Sequence, residues 1–468
     1  MTNRLLKLSM LVRTDSYKHS HFEQYPPNSE YVSSYIEARP KDFSDKVVFF
    51  GLQAFVKEYM QTPITLIEVA QAAEICKAHG VPFNLEGWQR IVDVHNGLMP
   101  LQITALPEGR QVSTGVPLVQ VVNTDPELPW LTSFIETALL RAIWYPTTVA
   151  TLSRKCYDII GEGLDATSDD GRDGLPFKLH DFGARGVSSS ESAALGGLAH
   201  LVTFAGTDTM EGLVAAKTYY NCGMAGFSIP ATEHSTITAW GREGELDAYA
   251  NVVHKFAGKD RIYACVSDSY DIDHAVDVIW GQQLRNEVVA KGGTLVVRPD
   301  SGDPVATPIR VMASLYKKFG GFVNSKGFKV LHPSVRVIQG DGMNVDSIKR
   351  LIGAMIALGW SVDNIAVGMG GGLLQGVTRD TLRFAMKANA IKVKGESKWR
   401  DVYKQPASDP SKSSKAGRQA VVEDIDKQYH AVAAEVCSPV NNKLETIYLN
   451  GVLRKELTFD EVRGNTHI

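Results

Sequence analysis

The sequence predicts an α/β protein with a (β/α) barrel-like domain and a discontinuous β-rich second domain, an expectation resting on three observations. From residue 175 onward, seven apolar runs stop abruptly in polar or glycine-rich clusters, and helical stretches follow. The clusters are marked by Asp181, Asp208, His234, Asp268, Asp300, Asp341 and Gly370. Their spacings of 27, 26, 34, 32, 41 and 29 residues each accommodate one strand, one helix and two loops. Finally, a chain of 468 residues is too long for one ordinary core, and strand-like segments occur near both ends.

Parallel strands joined by crossover helices are buried on both faces, so they read as unbroken apolar runs, and seven of them favour closure into a barrel. The loops after the strands then emerge on one face, which brings seven scattered polar clusters to one pocket. Each unit differs from the others in sequence, so the repetition is architectural. The barrel domain is expected over 146–384, and the second domain over 1–145 plus 385–468.

Composition narrows the class. With 44% hydrophobic and 22% charged residues, the chain reads as an ordinary globular protein rather than a disordered one. A net charge of −3 offers no overall attraction to nucleic acid or to anionic lipid, so neither is expected as a partner. Five dispersed cysteines form no CxxC pair, which argues against a disulfide framework or zinc knuckle and fits a reducing, cytoplasmic setting. The opening "MTNRLLKLSMLVRTDSYKHS" is interrupted by Lys7, and nowhere does an apolar run reach about eighteen residues, so neither export nor a membrane span is expected.

In chain order, "TLIEVAQAAEICKAHG" predicts a helix, with Thr65 and Glu68 in capping-box register and Gly80 as the stop. "LQITALPEGRQVSTGVPLVQVVNTD" predicts small antiparallel strands, and "WLTSFIETALLRAIWY" another helix. His19 and His21 are read on opposite faces of a strand. Beyond the barrel, "TRDTLRFAMKANA" is read as a helix and "QPASDPSKSSKAGRQ" as a mobile loop. In "ETIYLNGVLRKEL", Asn450-Gly451 suits the type I′ turn of a hairpin.

The chemistry-bearing clusters point to a phosphorylated sugar. In "VGMGGGLLQ", Gly368, Gly370, Gly371 and Gly372 follow a strand and precede a helix, where backbone N–H groups can approach a phosphate; a plain tight turn is the alternative. Gly340 permits close approach, and Asp341 can accept hydrogen bonds from ribose hydroxyls. Arg298 and Arg185 are candidate bidentate phosphate ligands. Asp268, Asp300 and Asp341 are candidates to hold Mg2+ or to grip hydroxyls, with helix N-capping the alternative for each. His234, in "EHSTITAWG", is a candidate catalytic residue, competing with a satisfied core histidine, and Asp268 and Asp300 are candidate catalytic residues with it. The twelve histidines show no zinc-binding spacing, and neither a GxSxG elbow nor a GxxxxGK[ST] loop occurs.

The series "TDSYK", "QYPPN", "NTDPE", "KLHDFGARGVSS", "GTDT", "EHSTITAWG", "VSDSYDI", "RPDSG", "VIQGDG", "GGGLLQ" and "TRD" closely resembles the nicotinate/nicotinamide phosphoribosyltransferase family, nicotinamide-using members above all, over nearly the whole chain. The resemblance implies a type II phosphoribosyltransferase barrel beside a discontinuous β-rich domain. It also implies transfer of the phosphoribosyl group of phosphoribosyl pyrophosphate to nicotinamide, giving nicotinamide mononucleotide and pyrophosphate with Mg2+, and ATP hydrolysis coupled through phosphorylated His234. Phe182, and Tyr17 from a partner subunit, match the aromatic pair that sandwiches the pyridine ring, so a homodimer with shared active sites is implied. Asp208 matches the carboxamide acceptor. Arg185, Arg298, Gly370 and Gly371 match positions around phosphate and base, and Asp300, Gly340 and Asp341 the ribose contacts. Arg39, Arg379 and Lys387 match basic residues that approach phosphates from the other subunit. Ala184 replaces a bulky aromatic of some relatives, and Ala264 and Ala385 stand where hydroxyl side chains occur. The competing expectations are a nicotinate-using enzyme, a non-catalytic nicotinamide-binding signalling protein, and an unrelated barrel lyase, for which no strand-end lysine is evident.

Overall fold

The computed structural model describes residues 9–408 and 413–466, so part of the loop expected to be mobile, 409–412, lies outside the described residues. Two compact units result. One comprises Met1–Thr151, Ala215–Gly223 and Thr378–Ile468, the other Leu152–Val214 and Met224–Val377.

The first unit begins with β1 (Ser29–Glu37), β2 (Lys46–Val48), β3 (Leu101–Ala105), β4 (Gln111–Ser113) and β5 (Val119–Asn123). Before them, Ser16–Glu23 is a 3-10 helix and not the strand expected around His19 and His21. His19 is buried there between the rings of Phe83 and Phe134, at centroid distances of 5.7 and 5.1 Å, and this aromatic seat decides its direction. The helix Leu66–His79 starts at the expected capping box: Thr65 N–H donates to Glu68 Oε2 at 2.8 Å and Glu68 N–H donates to Thr65 Oγ1 at 3.3 Å. Gly80 ends it with a φ of +86°, a left-handed conformation that suits glycine.

The second unit is the barrel. Its strands are β6 (Leu179–Asp181), β7 (Gly206–Thr207), β8 (Ile262–Val266), β9 (Thr294–Arg298), β10 (Gly321–Val323), β11 (Lys329–Leu331), β12 (Val335–Gln339) and β13 (Ile365–Met369). Six of them form a parallel sheet in the order β7-β6-β13-β12-β9-β8. Residues 227–231 join its two edges through parallel bridges, Gly206 to Phe227 and Ala231 to Ala264. This stave lacks a regular ladder because Pro230 has no N–H, although its carbonyl accepts from Ala264 N–H at 2.9 Å. The result is seven staves, one ahead of each of the seven polar clusters. Ala264, Val296 and Ile338 fill the interior together with Phe182, Ile229 and Ala366. The β10–β11 hairpin is an addition that the seven-unit rhythm does not anticipate.

The chain then returns to the first unit with β14 (Ala385–Val393), β15 (Arg400–Asp401), β16 (Gln419–Glu423), β17 (Tyr429–Ala433), β18 (Glu445–Leu449) and β19 (Val452–Leu453). Strands from both chain ends build one sheet, β15-β14-β1-β5-β3-β18-β19. The helix expected from "TRDTLRFAMKANA" is instead a single 3-10 turn, Arg379–Thr381, followed by β14. Helix propensities differ by only a few tenths of a kcal/mol per residue for such side chains, about 0.7 at most. Pairing along the length of β1, from Ser29 opposite Val393 to Glu37 opposite Ala385, outweighs them. The β18–β19 turn carries Asn450 and Gly451 at φ values of +49° and +89°, as a type I′ turn requires.

Ala215–Gly223 lies inside the sequence stretch expected for the barrel but groups with the first unit. There, Tyr220 O–H donates to Glu108 Oε2 at 2.8 Å, while Glu108 Oε1 accepts from Gly51 and Gln53 N–H at 2.8 and 3.2 Å. A fully buried carboxyl group that accepts from Tyr220 and from backbone N–H groups of the 51–53 segment ties Ala215–Gly223 in place.

Replacing the cap residue of Leu66–His79, Thr65→Ala, should lower unfolding free energy by about 1 kcal/mol. Urea denaturation checks this, with the denaturant slope unchanged.

Candidate active site

All seven staves run the same way, so the residues that follow them share one rim. The rim carries Phe182, Arg185, Asp208, His234, Asp268, Arg298, Asp300, Gly340, Asp341, Gly370 and Gly371, the barrel residues singled out from sequence.

Asp268 organises one side of it. Its Oδ1 lies 3.0 Å from His234 Nε2, and its Oδ2 accepts from the Asp300 N–H at 3.1 Å and from Ser301 Oγ at 2.5 Å. With Nε2–H donating to this carboxylate, the neutral imidazole of His234 carries its lone pair on Nδ1, which is 3.9 Å from Asp300 Oδ2. His234 opens the short helix His234–Thr238 and is half-exposed. Asp300 Oδ2 is also 3.8 Å from Arg298 Nη2. The Nε of Arg298 is buried and has no hydrogen-bond partner among the described residues. A guanidinium in that condition is equipped to donate to a ligand oxygen.

Asp208 organises the other side. His180 Nε2–H donates to its Oδ1 at 3.0 Å, and Ser228 Oγ–H donates to the same oxygen at 2.5 Å. Burial alone would raise this carboxyl. The donors His180 and Ser228, with the charges of His180 and Arg298, outweigh burial and hold it below the usual aspartate range. The Phe182 ring lies beside His180, with centroids 4.9 Å apart. Its N–H donates to Met369 O at 3.0 Å, which fixes the turn after β6 against β13.

Glycine makes room for that ring. A Cβ on Gly368 would sit 2.1 Å from Phe182 Cε2, and one on Gly340 3.5 Å from the same atom. Gly370 caps the four-residue helix Gly371–Leu374, and Leu373 N–H donates to Gly370 O at 3.0 Å. Arg185 is exposed on the neighbouring turn Ala184–Gly186, where a Cβ on Gly186 would lie 3.2 Å from Gly371 Cα. Ala264 lies in the barrel interior, and Ala385 opens β14 opposite Glu37.

Tyr17, Arg39, Arg379 and Lys387 belong to the first unit. Burial pushes the Lys387 ammonium below the ordinary lysine value; Glu136 opposes the shift, while the charges of Arg39, Lys404 and Arg379 add to it. Arg39 Nε is paired with Glu37 at 3.2 Å, yet its Nη2 is buried and has no partner among the described residues. Cations held this closely are suited to an anion. Tyr17 is exposed on the 3-10 helix, its ring 5.2 Å from that of His21.

Sequence reasoning missed His180, Ser228 and Ser301. His180 lies one residue before the end of its strand, within a motif already quoted, whereas Gly368, read from the sequence with the glycine turn, is the residue that makes room for the Phe182 ring. The hydroxyl partners Ser228 and Ser301 carried no signal, because serine at a strand end is common. Among the described residues no group of three or more His, Cys, Asp or Glu side chains is arranged to hold a metal ion.

A parallel barrel whose rim joins carboxylates, a partnerless guanidinium and glycine turns, in a chain that also builds a β-rich unit from both of its ends, has the type II phosphoribosyltransferase fold. Residues 177–437 match the nicotinate phosphoribosyltransferase (NAPRTase) family, and residues 9–103 match the nicotinamide phosphoribosyltransferase N-terminal domain. The chain is 48% identical over 462 residues to a nicotinamide phosphoribosyltransferase of Xanthomonas campestris, covering 98% of each. It is 30% identical to one of Acinetobacter baylyi, covering 98% of this chain and 97% of that one. Two solved structures share the fold. A nicotinate-nucleotide pyrophosphorylase from Pyrococcus furiosus has a TM-score of 0.64 at 16% identity, covering 98% of this chain and 95% of its own. Human nicotinic acid phosphoribosyltransferase has a TM-score of 0.55 at 18% identity, with 97% and 93% covered. The chain belongs to the nicotinate phosphoribosyltransferase family.

Gly368→Ala should cost about 1–3 kcal/mol of stability through its clash with the Phe182 ring. The cost should largely vanish when Phe182→Ala is present as well. Equal costs in both backgrounds, by urea denaturation, would mean that the glycine accommodates something other than the ring.

Proposed function

We propose that the enzyme is a pentosyltransferase of NAD biosynthesis that makes nicotinamide mononucleotide and pyrophosphate from nicotinamide and phosphoribosyl pyrophosphate. The observation that carries the choice of base is the Asp208 carboxylate, held ionised beside His180 and Phe182. A carboxamide N–H donates to such an oxygen, whereas nicotinate brings a second anion. Two unit charges about 4 Å apart repel by about 4 kcal/mol at an effective dielectric near 20. Solvent around the half-exposed Asp208 reduces that figure without reversing its sign.

In the reaction, the bond from the anomeric carbon to the pyrophosphate oxygen breaks, and the pyridine nitrogen supplies the electron pair of the new bond. Oxocarbenium-like charge develops on the sugar, so catalysis consists of holding the ring in line and neutralising the leaving group. Phe182 offers one face for the pyridine ring, and Tyr17 of a second copy would offer the other, each contact worth about 0.5–1.5 kcal/mol. Arg298, Arg185 and the Gly370–Gly371 turn bind phosphate; Asp300, Gly340 and Asp341 take the ribose. Arg39, Arg379 and Lys387 complete the phosphate site across a homodimer.

Mg2+ takes one or two carboxylates together with phosphate oxygens, and Asp300 and Asp341, which follow the adjacent staves β9 and β12, match that donor chemistry. Mg2+, when bound, would neutralise charge on the pyrophosphate. Asp268 has both oxygens engaged by protein groups and serves His234 instead. His234 Nδ1 attacks the terminal phosphorus of ATP, forming an N–P bond as ADP leaves, while Asp268 holds the opposite side of the ring. No helix among the described residues is long and apolar enough to cross a membrane, and a cytoplasmic location accords with the free cysteines.

A pyrophosphate-release assay with each base tests this reading, and nicotinamide should be preferred by at least about tenfold in kcat/KM, with Asp208→Asn narrowing the gap. Preference for nicotinate, or a ratio unmoved by Asp208→Asn, would overturn the assignment. His234→Ala should abolish the stimulation by ATP and leave weak basal transfer. Stimulation retained in that variant would exclude a phosphohistidine at this position.

A further inference from the structure

We propose that His180 and Ser228 are positioning residues that set the choice between amide and acid by clamping one oxygen of Asp208; this rests on Asp208 being the acceptor for the base. The two donors flank the β7 stave, His180 on β6 and Ser228 on the irregular 227–231 stave. Both point to Oδ1, at 3.0 and 2.5 Å. The backbone of Asp208 is fixed as well, its N–H donating to Asp181 O at 3.0 Å. Neither side-chain hydrogen bond uses Oδ2, so one oxygen anchors the carboxylate and the other is presented at a set angle.

The clamp is itself held. A Cβ on Gly206 would lie 2.8 Å from His180 Nδ1, so the imidazole packs against a bare backbone on that side. On another side stands the Phe182 ring, its plane inclined by 48° to the imidazole. Ring position and acceptor position are thereby coupled, since the residue that orients Asp208 also touches the stacking ring.

The consequence for specificity is physical. A carboxylate with a single weak partner can rotate, or take up a proton, and then donate to the carboxylate of nicotinate. Two hydrogen bonds to one oxygen oppose both escapes, because rotation breaks them and protonation weakens them. Discrimination against the acid therefore depends on His180 and Ser228 as much as on the charge of Asp208.

The test compares steady-state kinetics with nicotinamide and nicotinate, at saturating phosphoribosyl pyrophosphate, for His180→Phe, His180→Gln, Ser228→Ala and Asp208→Asn. His180→Phe keeps a ring without the donor, and Ser228→Ala removes the hydroxyl at an exposed position. Each should raise the KM for nicotinamide by about tenfold, the scale of one hydrogen bond to a charged group, with kcat changed far less, and narrow the amide-to-acid ratio. His180→Gln, whose amide N–H can donate to Oδ1, should restore most of the ratio. In a second series at saturating nicotinamide, the KM for phosphoribosyl pyrophosphate should stay within about twofold of the parent in all of these. Equal behaviour of His180→Phe and His180→Gln, or an unchanged ratio in Ser228→Ala, would overturn the clamp. If Asp208→Asn narrows the ratio while the clamp variants do not, the clamp alone falls; if Asp208→Asn has no effect either, the reading of Asp208 falls with it. Should His180→Phe fail to fold, Ser228→Ala decides the matter.

Discussion

Closure of the parallel sheet by residues 227–231 is the constraint on which the site depends. In the order β7-β6-β13-β12-β9-β8, Asp208 and Asp268 follow the two opposite edge strands. An open sheet would leave them at the far ends of a row. The seventh stave bridges Gly206 on one edge and Ala264 on the other, and its own residues then serve both carboxylates. Ser228, near its start, reaches Asp208, and His234, just beyond its end, reaches Asp268. Irregular backbone around Pro230 suits this double duty, since a full ladder on both sides would hold the segment to strand geometry throughout.

Small residues decide what the closed barrel can hold. Ala264 and Ala366 share the interior with Val296 and Ile338, so space remains above them for the Phe182 ring. Gly368 admits that ring from the adjacent stave β13, and Gly206 admits the imidazole of His180. At Gly368 a larger side chain would overlap the ring of Phe182, so the aromatic platform exists because of its glycine neighbour.

Much of this was legible in the sequence because parallel strands and their loops leave local signatures. The seven abrupt ends were readable, including the one at "GFSIPATEHS", where the stave itself is barely regular. The capping box at Thr65 and Glu68 and the turn at Asn450-Gly451 are local too, and the structure has both. What could not be read depends on distant partners. Met386 lies opposite Ile36 across the β1–β14 ladder, and that pairing turned an apparent helix into a strand. His180 sits in a three-residue strand too short to show alternation, and its acceptor is 28 residues away. Ser228 and Ser301 gain meaning only once the staves are placed side by side.

The charges of the rim show where a ligand gains most. Asp268 is fully engaged by His234, Asp300 and Ser301, and Asp208 is held by His180 and Ser228. Arg298 differs from these. Its nearest carboxylate contact, to Asp300, is 3.8 Å, too long for a direct hydrogen bond, and its Nε is buried without a partner among the described residues. A buried donor in that state costs about 1–3 kcal/mol, more when charged. The free fold carries this cost, and an acceptor oxygen on a bound ligand removes it. Under the proposed function that cost becomes affinity for an anion, at a point where Asp300, 3.8 Å from the guanidinium, is too far to satisfy it.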